Sequence, residues 1–93
     1  SYPPYFISKN KIELTPSIDV DGILKSMKEK YASQRINDID GVRIDFDAEK
    51  KWVHLRKSNT EPIIRIYAEA NTMDTADALA QQIITDIKQL AGI

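Results

Sequence analysis

The most suggestive chemistry in this chain lies in one run, Arg56-Lys57-Ser58-Asn59-Thr60-Glu61-Pro62-Ile63-Ile64-Arg65. A phosphate monoester carries nearly two negative charges and presents its oxygens around a tetrahedron, so a site for it needs several donors converging from different directions. Arginine supplies a permanently charged fork of donors, while Ser and Thr hydroxyls and the N–H groups of a turn supply shorter, directional bonds. A tight loop entered by Arg56, holding Ser58 and Thr60, with Arg65 close by, offers all of these. The same residues also suit a plain turn, because Ser, Asn and Thr favour turns and surface arginines are usually just solvated. Spacing alone leaves both readings open.

Other candidates are weaker. Asp38 and Asp40 before Gly41 hint at a calcium loop, but its first ligand position falls on Ile36. Asp19, Asp21 and Gly22 fail in the same way, since the twelfth position is Lys28. His54 is the sole histidine, which rules out a multi-histidine metal site. It could line a cleft beside Arg65 or be an ordinary surface residue. Trp52 and Tyr67 could cover a sugar face or could simply pack across strands.

The elements that must position these residues follow from periodicity. Residues 5–14 mix β-branched and aromatic residues around Asn10-Lys11, which predicts a short, irregular strand or a hairpin. Val20, Ile23, Leu24, Met27 and Tyr31 recur at helical spacing, predicting a first helix over residues 19–34 with Ser17, Asp19 or Asp21 at its start. After the turn signal Asp40-Gly41, the residues Val42, Ile44 and Phe46 alternate with polar ones as a half-buried strand. Residues 52–57 form a second such strand, and residues 62–71 a third, opened by Pro62 where a missing donor costs little. Ala76, Leu79, Ala80, Ile83, Ile84, Ile87 and Leu90 describe a long closing helix, capped by Thr72 or Asp74 and ended by Gly92.

These elements predict an α+β fold, an antiparallel sheet of about four strands with both helices on one face. Alternation assigns Val42, Ile44, Phe46, Val53, Leu55, Ile64, Ile66, Ala68 and Ala70 to the helix side. Arg43, Asp45, Trp52, His54, Arg56, Ile63, Arg65, Tyr67 and Glu69 fall on the other side. With a four-residue loop over 58–61, Lys57 pairs with Pro62, Arg56 with Ile63 and His54 with Arg65.

The bulk numbers exclude several classes. A chain of 93 residues is one small domain, and 42% hydrophobic with 29% charged residues is ordinary for a soluble globular protein. Thirteen Lys and Arg against 14 Asp and Glu give a formal charge of −1, without the basic excess that nucleic-acid binding by counterion release requires. There is no cysteine, hence no disulfide or thiolate metal site, which fits a cytoplasmic setting. No apolar run reaches the roughly 18–20 residues of a membrane span. The opening Ser1-Tyr2-Pro3-Pro4 reads like mid-protein sequence, so residues 1–93 are expected to be one domain of a longer protein.

The pattern Arg56-x-Ser58-Asn59-Thr60-Glu61-Pro62-x-x-Arg65, followed by Tyr67-x-Glu69-Ala70, closely resembles the C-terminal signature of the α-D-phosphohexomutases. The run-up Asp40-Gly41-Val42-Arg43-Ile44 and Trp52-Val53-x-Leu55, the entry Tyr5-Phe6-Ile7 with Lys9 and Lys11, and the closing helix are similar too. The resemblance implies a four-domain enzyme that moves phosphate between O6 and O1 of a hexose through a phosphoserine in its first domain. Mg²⁺ is held by the second domain, and a fourth, TATA-binding-protein-like domain clamps the phosphate not being transferred. It assigns the substrate phosphate to Arg56, Ser58, Asn59 and Thr60, with Arg65 in support. The phosphoserine and Asp-x-Asp-x-Asp motifs are absent from this chain, so it is expected to be inactive alone. Asn59 stands where Gly is commoner, and a turn position at φ > 0 accepts either. The Arg-Lys-Ser opening and the Glu-Pro-Ile-Ile-Arg continuation look more like phosphoglucosamine mutases than phosphomannomutase/phosphoglucomutases. The implied partners are a phosphosugar and the other domains of the same chain, with neither nucleic acid nor membrane. From other classes come a stand-alone α/β interaction domain and a single-stranded RNA reader stacking bases on Trp52 and Tyr67.

Overall fold

Asp19 starts the first helix as a short acceptor side chain should, taking the Gly22 N–H at 3.1 Å while its own backbone stays extended. Thr72 does the same for the last helix through the Thr75 N–H, and Gly92 ends it in the left-handed conformation at φ 77°. The structure, a computed structural model, describes residues 5–38, 41–58 and 61–93. Among them the order is β1 (Phe6–Glu13), α1 (Val20–Lys30), β2 (Arg35–Asn37), β3 (Val42–Phe46), a 3₁₀ turn (Asp47–Glu49), β4 (Lys51–Lys57), β5 (Ile63–Ala70) and α2 (Met73–Ala91). The strands form one antiparallel sheet in the order β1-β5-β4-β3-β2.

The α+β class and the two-layer arrangement agree with expectation, with four differences. The sheet has five strands, because Arg35–Asn37 adds an edge strand beside β3. Three residues with one apolar member carry no readable alternation, and only the neighbouring strand makes them extended. Residues 5–14 hold neither a hairpin nor an irregular strand: all eight residues of β1 pair with β5, Phe6 to Ala70 through Glu13 to Ile63. A complete ladder outweighs the turn preference of Asn10, whose amide instead donates to Ser8 Oγ at 2.9 Å. Helix α1 stops at Lys30 rather than near residue 34, where Tyr31 leaves helical geometry and turns toward α2. The register of β4 with β5 also differs from the expected one, with consequences for the site described below.

The face assignment holds throughout. Val42, Ile44, Phe46, Val53, Leu55, Ile64, Ile66, Ala68 and Ala70 are each no more than 7% exposed. All but Ala70 form one core with Ile23, Leu24 and Met27 of α1 and Leu79, Ala80, Ile83 and Ile87 of α2. Each large aliphatic side chain fully removed from water contributes about 1.5–3 kcal/mol, so this layer supplies the main driving force for folding.

One polar cluster locks the helices together. Asp86 of α2, itself buried, accepts Lys30 Nζ at 2.7 Å and the Tyr31 hydroxyl. Gln82 Nε2 donates to the Tyr31 oxygen at 2.9 Å, and the Tyr31 ring meets Phe46 edge-on at 5.6 Å. Burial, and then the hydrogen bond to the Asp86 carboxylate, raise the Tyr31 phenol above its ordinary value. The folded state therefore holds this proton more tightly than the unfolded chain does. That contribution is complete below about pH 10, where the unfolded phenol titrates, and is lost as pH rises through the folded-state value. Urea unfolding of the wild type should thus fall off more steeply above about pH 10 than that of Tyr31→Phe, which is less stable at pH 8 but flatter. Parallel pH profiles for the two proteins would remove the phenol from this role.

Candidate phosphate site

Strands β4 and β5 bring the two arginines of the loop signature closer together than the sequence suggested. Arg56 pairs directly with Arg65, Lys57 with Ile64 and His54 with Tyr67. The expected pairs, Lys57 with Pro62, Arg56 with Ile63 and His54 with Arg65, are two residues out of step. The slip is even, so every side chain keeps its face. Its cause lies at the loop, where Ser58 still belongs to the ladder and donates its N–H to Ile63 O at 3.0 Å. Ile63 N–H turns back to Glu61 O at 2.8 Å. Pro62 has no N–H to give a partner strand, and its carbonyl accepts Leu14 N–H at 2.6 Å. The connection is therefore centred one residue later than residues 58–61.

Of the five residues singled out for phosphate, the structure brings together three. Arg56 and Arg65 stand side by side, both exposed, on the face away from the helices, and Ser58 follows at the end of β4, half-buried. Asn59 and Thr60, and with them the expected positive φ at Asn59, lie outside the described residues. Like charges directly opposite each other across two strands repel, and an anion shared between them would offset that repulsion. Lys57, between them in sequence, faces the helix side and pairs with Asp21 at 2.7 Å. It lines a cleft of about 380 Å³ beside α1, which Arg56 and the Lys28–Asp38 pair also border.

Gly41 is a positional requirement that the sequence hinted at only through its turn signal. It stands at φ 83°, and a Cβ there would lie 2.4 Å from the Leu55 carbonyl oxygen, 3.3 Å from His54 Nε2 and 3.4 Å from Arg56 Cγ. The bare glycine allows the chain entering β3 to run against the backbone that carries Arg56.

The aromatic candidates resolve differently. Trp52 is already engaged on both counts that matter for stacking. Tyr5 packs on it at 5.0 Å, and the Arg43 guanidinium sits over its ring at 5.1 Å. Arg43 is held there by Asp45, which is buried and accepts it at 3.1–3.3 Å. His54 and Tyr67 face each other across β4 and β5, and with Ile7, Lys9 and Glu69 they border a shallow depression on the open sheet face.

A family model described as the phosphoglucomutase/phosphomannomutase C-terminal domain matches residues 11–86, and the chain belongs to that family. It is 40% identical over 86 residues to a phosphoglucosamine/phosphogalactosamine mutase of Sulfurisphaera tokodaii, covering 87% of this chain and 18% of that protein. It is 39% identical over 71 residues to a probable phosphoglucosamine mutase of Methanocella arvoryzae, with 76% and 16% covered. A probable phosphoglucosamine mutase of Pyrococcus abyssi is 32% identical over 83 residues, with 86% and 18% covered. The chain thus spans less than a fifth of the length of these curated relatives. Family membership favours a phosphohexomutase domain over a stand-alone interaction module or an RNA reader. Among the described residues, no three His, Cys, Asp or Glu side chains converge to hold a metal, and no helix is long and apolar enough to cross a membrane.

Proposed function

We propose that this chain is the substrate-phosphate-holding domain of a longer phosphohexomutase that interconverts hexose 6-phosphate and hexose 1-phosphate. The observation that carries the reading is the direct pairing of Arg56 with Arg65 at the mouth of the 58–61 loop, in a chain of this family. In the proposed site Arg56 forks onto two phosphate oxygens, Arg65 neutralises the same dianion from the next strand, and Ser58, Asn59 and Thr60 supply short bonds from the loop. The domain's task is to hold the phosphate that does not react and so to fix the orientation of the sugar, which lowers the entropy cost of the transfer elsewhere. Relatives named phosphoglucosamine mutase favour a hexosamine phosphate as substrate over mannose or glucose phosphates. The transferring nucleophile and Mg²⁺ belong, in this reading, to parts of the protein outside these 93 residues.

Two measurements test the reading. Titrating the ¹⁵N-labelled chain with glucosamine 6-phosphate should move the amides of Arg56 to Glu61 and of Arg65, with a Kd on the order of millimolar. A few charge-assisted bonds offset little more than the cost of association. Shifts centred instead on α1 or α2 would count against the site. The same chain mixed with glucosamine 6-phosphate, Mg²⁺ and a hexose bisphosphate should give no hexosamine 1-phosphate above buffer. Turnover would place catalysis within this domain after all.

A further inference from the structure

The row of the sheet that contains Arg56 and Arg65 does not end with them. On the other side of β5, Lys11 of β1 is the direct partner of Arg65, so Lys11, Arg65 and Arg56 stand abreast across three strands. All three are exposed and, by alternation, on the face away from the helices. Lys9, Asn10, Lys11, Arg65 and Tyr67 border a shallow depression of about 310 Å³ between β5 and the edge strand β1. Among the described residues Lys11 has one acidic neighbour within ion-pair range, Glu13 at 3.6 Å, and both side chains are more than half exposed. Such a pair holds a lysine only weakly. Three cations in one row repel each other across the ladder, and neither packing nor the core requires a lysine there.

We infer that Lys11 is a third cation of the phosphate site, reaching over Arg65 to the same phosphoryl group. In this arrangement Glu13 restrains Lys11 when no anion is present. The inference rests on the proposed phosphate reading of Arg56 and extends it on to β1. It makes the site selective for a dianion, because three positive groups gain more from the second negative charge than two do. Lysine suits the outer place. It is a mobile point charge that follows the phosphate, whereas the arginines hold it by their forks.

The test is a ¹⁵N titration of the 93-residue chain with glucosamine 6-phosphate at low salt, run on six proteins. Wild type and Arg56→Ala test the underlying reading, and Arg56→Ala should lose binding. Lys11→Gln should bind about 3- to 10-fold more weakly and show a shallower dependence on salt, while Lys11→Arg should stay within about 2-fold of wild type. Lys88→Gln, which removes the same charge from the exposed last turn of α2, should bind as wild type. Glu13→Gln should bind tighter, since it frees Lys11 and removes a carboxylate from the row's edge. If Arg56→Ala loses binding but Lys11→Gln matches Lys88→Gln, the inference fails while the arginine site stands. If Arg56→Ala binds as wild type, both fail. A weakening of Lys11→Gln that Lys11→Arg does not rescue would also overturn it, as the effect would then not be one of charge.

Discussion

Arg56→Ala is expected to weaken phosphate-monoester binding by roughly 10- to 100-fold, as the loss of one forked, charge-assisted contact implies. The sheet should be unharmed, because the side chain is exposed and its backbone pairing with Arg65 needs no guanidinium. The variant thus separates binding from folding. Isothermal titration with glucosamine 6-phosphate would read the first and urea unfolding the second. Arg56→Lys makes the argument sharper. It keeps the charge and loses the fork, so it should recover part of the affinity at low salt and little at physiological salt. Equal binding by wild type and Arg56→Ala would mean that the arginine pair is a solvated accident of the register.

Gly41→Ala is expected to be the most damaging single methyl in the chain, costing about 2–4 kcal/mol. The left-handed backbone is strained for any L side chain, and the new Cβ overlaps a carbonyl rather than a flexible side chain. The Leu55 oxygen belongs to β4 and cannot move without pulling Val53, Leu55 and the core with it. Relief must therefore come from parting β3 and β4 at this end, where Arg56 sits. The expected signature is a lowered urea midpoint, together with amide shifts at His54, Leu55 and Arg56 in the folded protein. Gly92→Ala is the control. It has a similar φ of 77° but nothing within 4 Å of a new Cβ, so it should lose only about 1 kcal/mol of backbone preference. If the two variants were equally stable, the close approach to Leu55 would not matter.

Much of this architecture was legible because it depends on local rules. The parity of Val42-Ile44-Phe46 and Ile64-Ile66-Ala68 is a property of any pleated strand, and the stripe from Ala76 to Ile87 is a property of any helix with one buried face. Caps follow from orphan backbone groups that neighbouring residues must satisfy, which narrowed the helix starts to Ser17, Asp19 or Asp21 and to Thr72 or Asp74, and the fold chose Asp19 and Thr72. The run from Arg56 to Arg65 was conspicuous because its donor types are rarely gathered in one loop, and the resemblance to a known signature followed from those residues.

What lay beyond the sequence depends on partners distant along the chain. Residues 35–37 become a strand only because β3 offers its edge, and Asn10-Lys11 stays extended only because β5 is full length beside it. Nothing in the spacing of the last helix singles out Asp86, which accepts hydrogen bonds from Lys30 and Tyr31, more than fifty positions away. Most telling is the register of β4 with β5. Hydrophobic alternation determined which face Arg56 and Arg65 share, but alternation repeats every two residues and cannot distinguish one even register from the next. The hydrogen bond from Ser58 to Ile63, and the missing donor at Pro62, made that choice in the folded chain. They set Arg56 against Arg65 and Arg65 against Lys11, and so gathered into one row charges that the sequence had left only nearby.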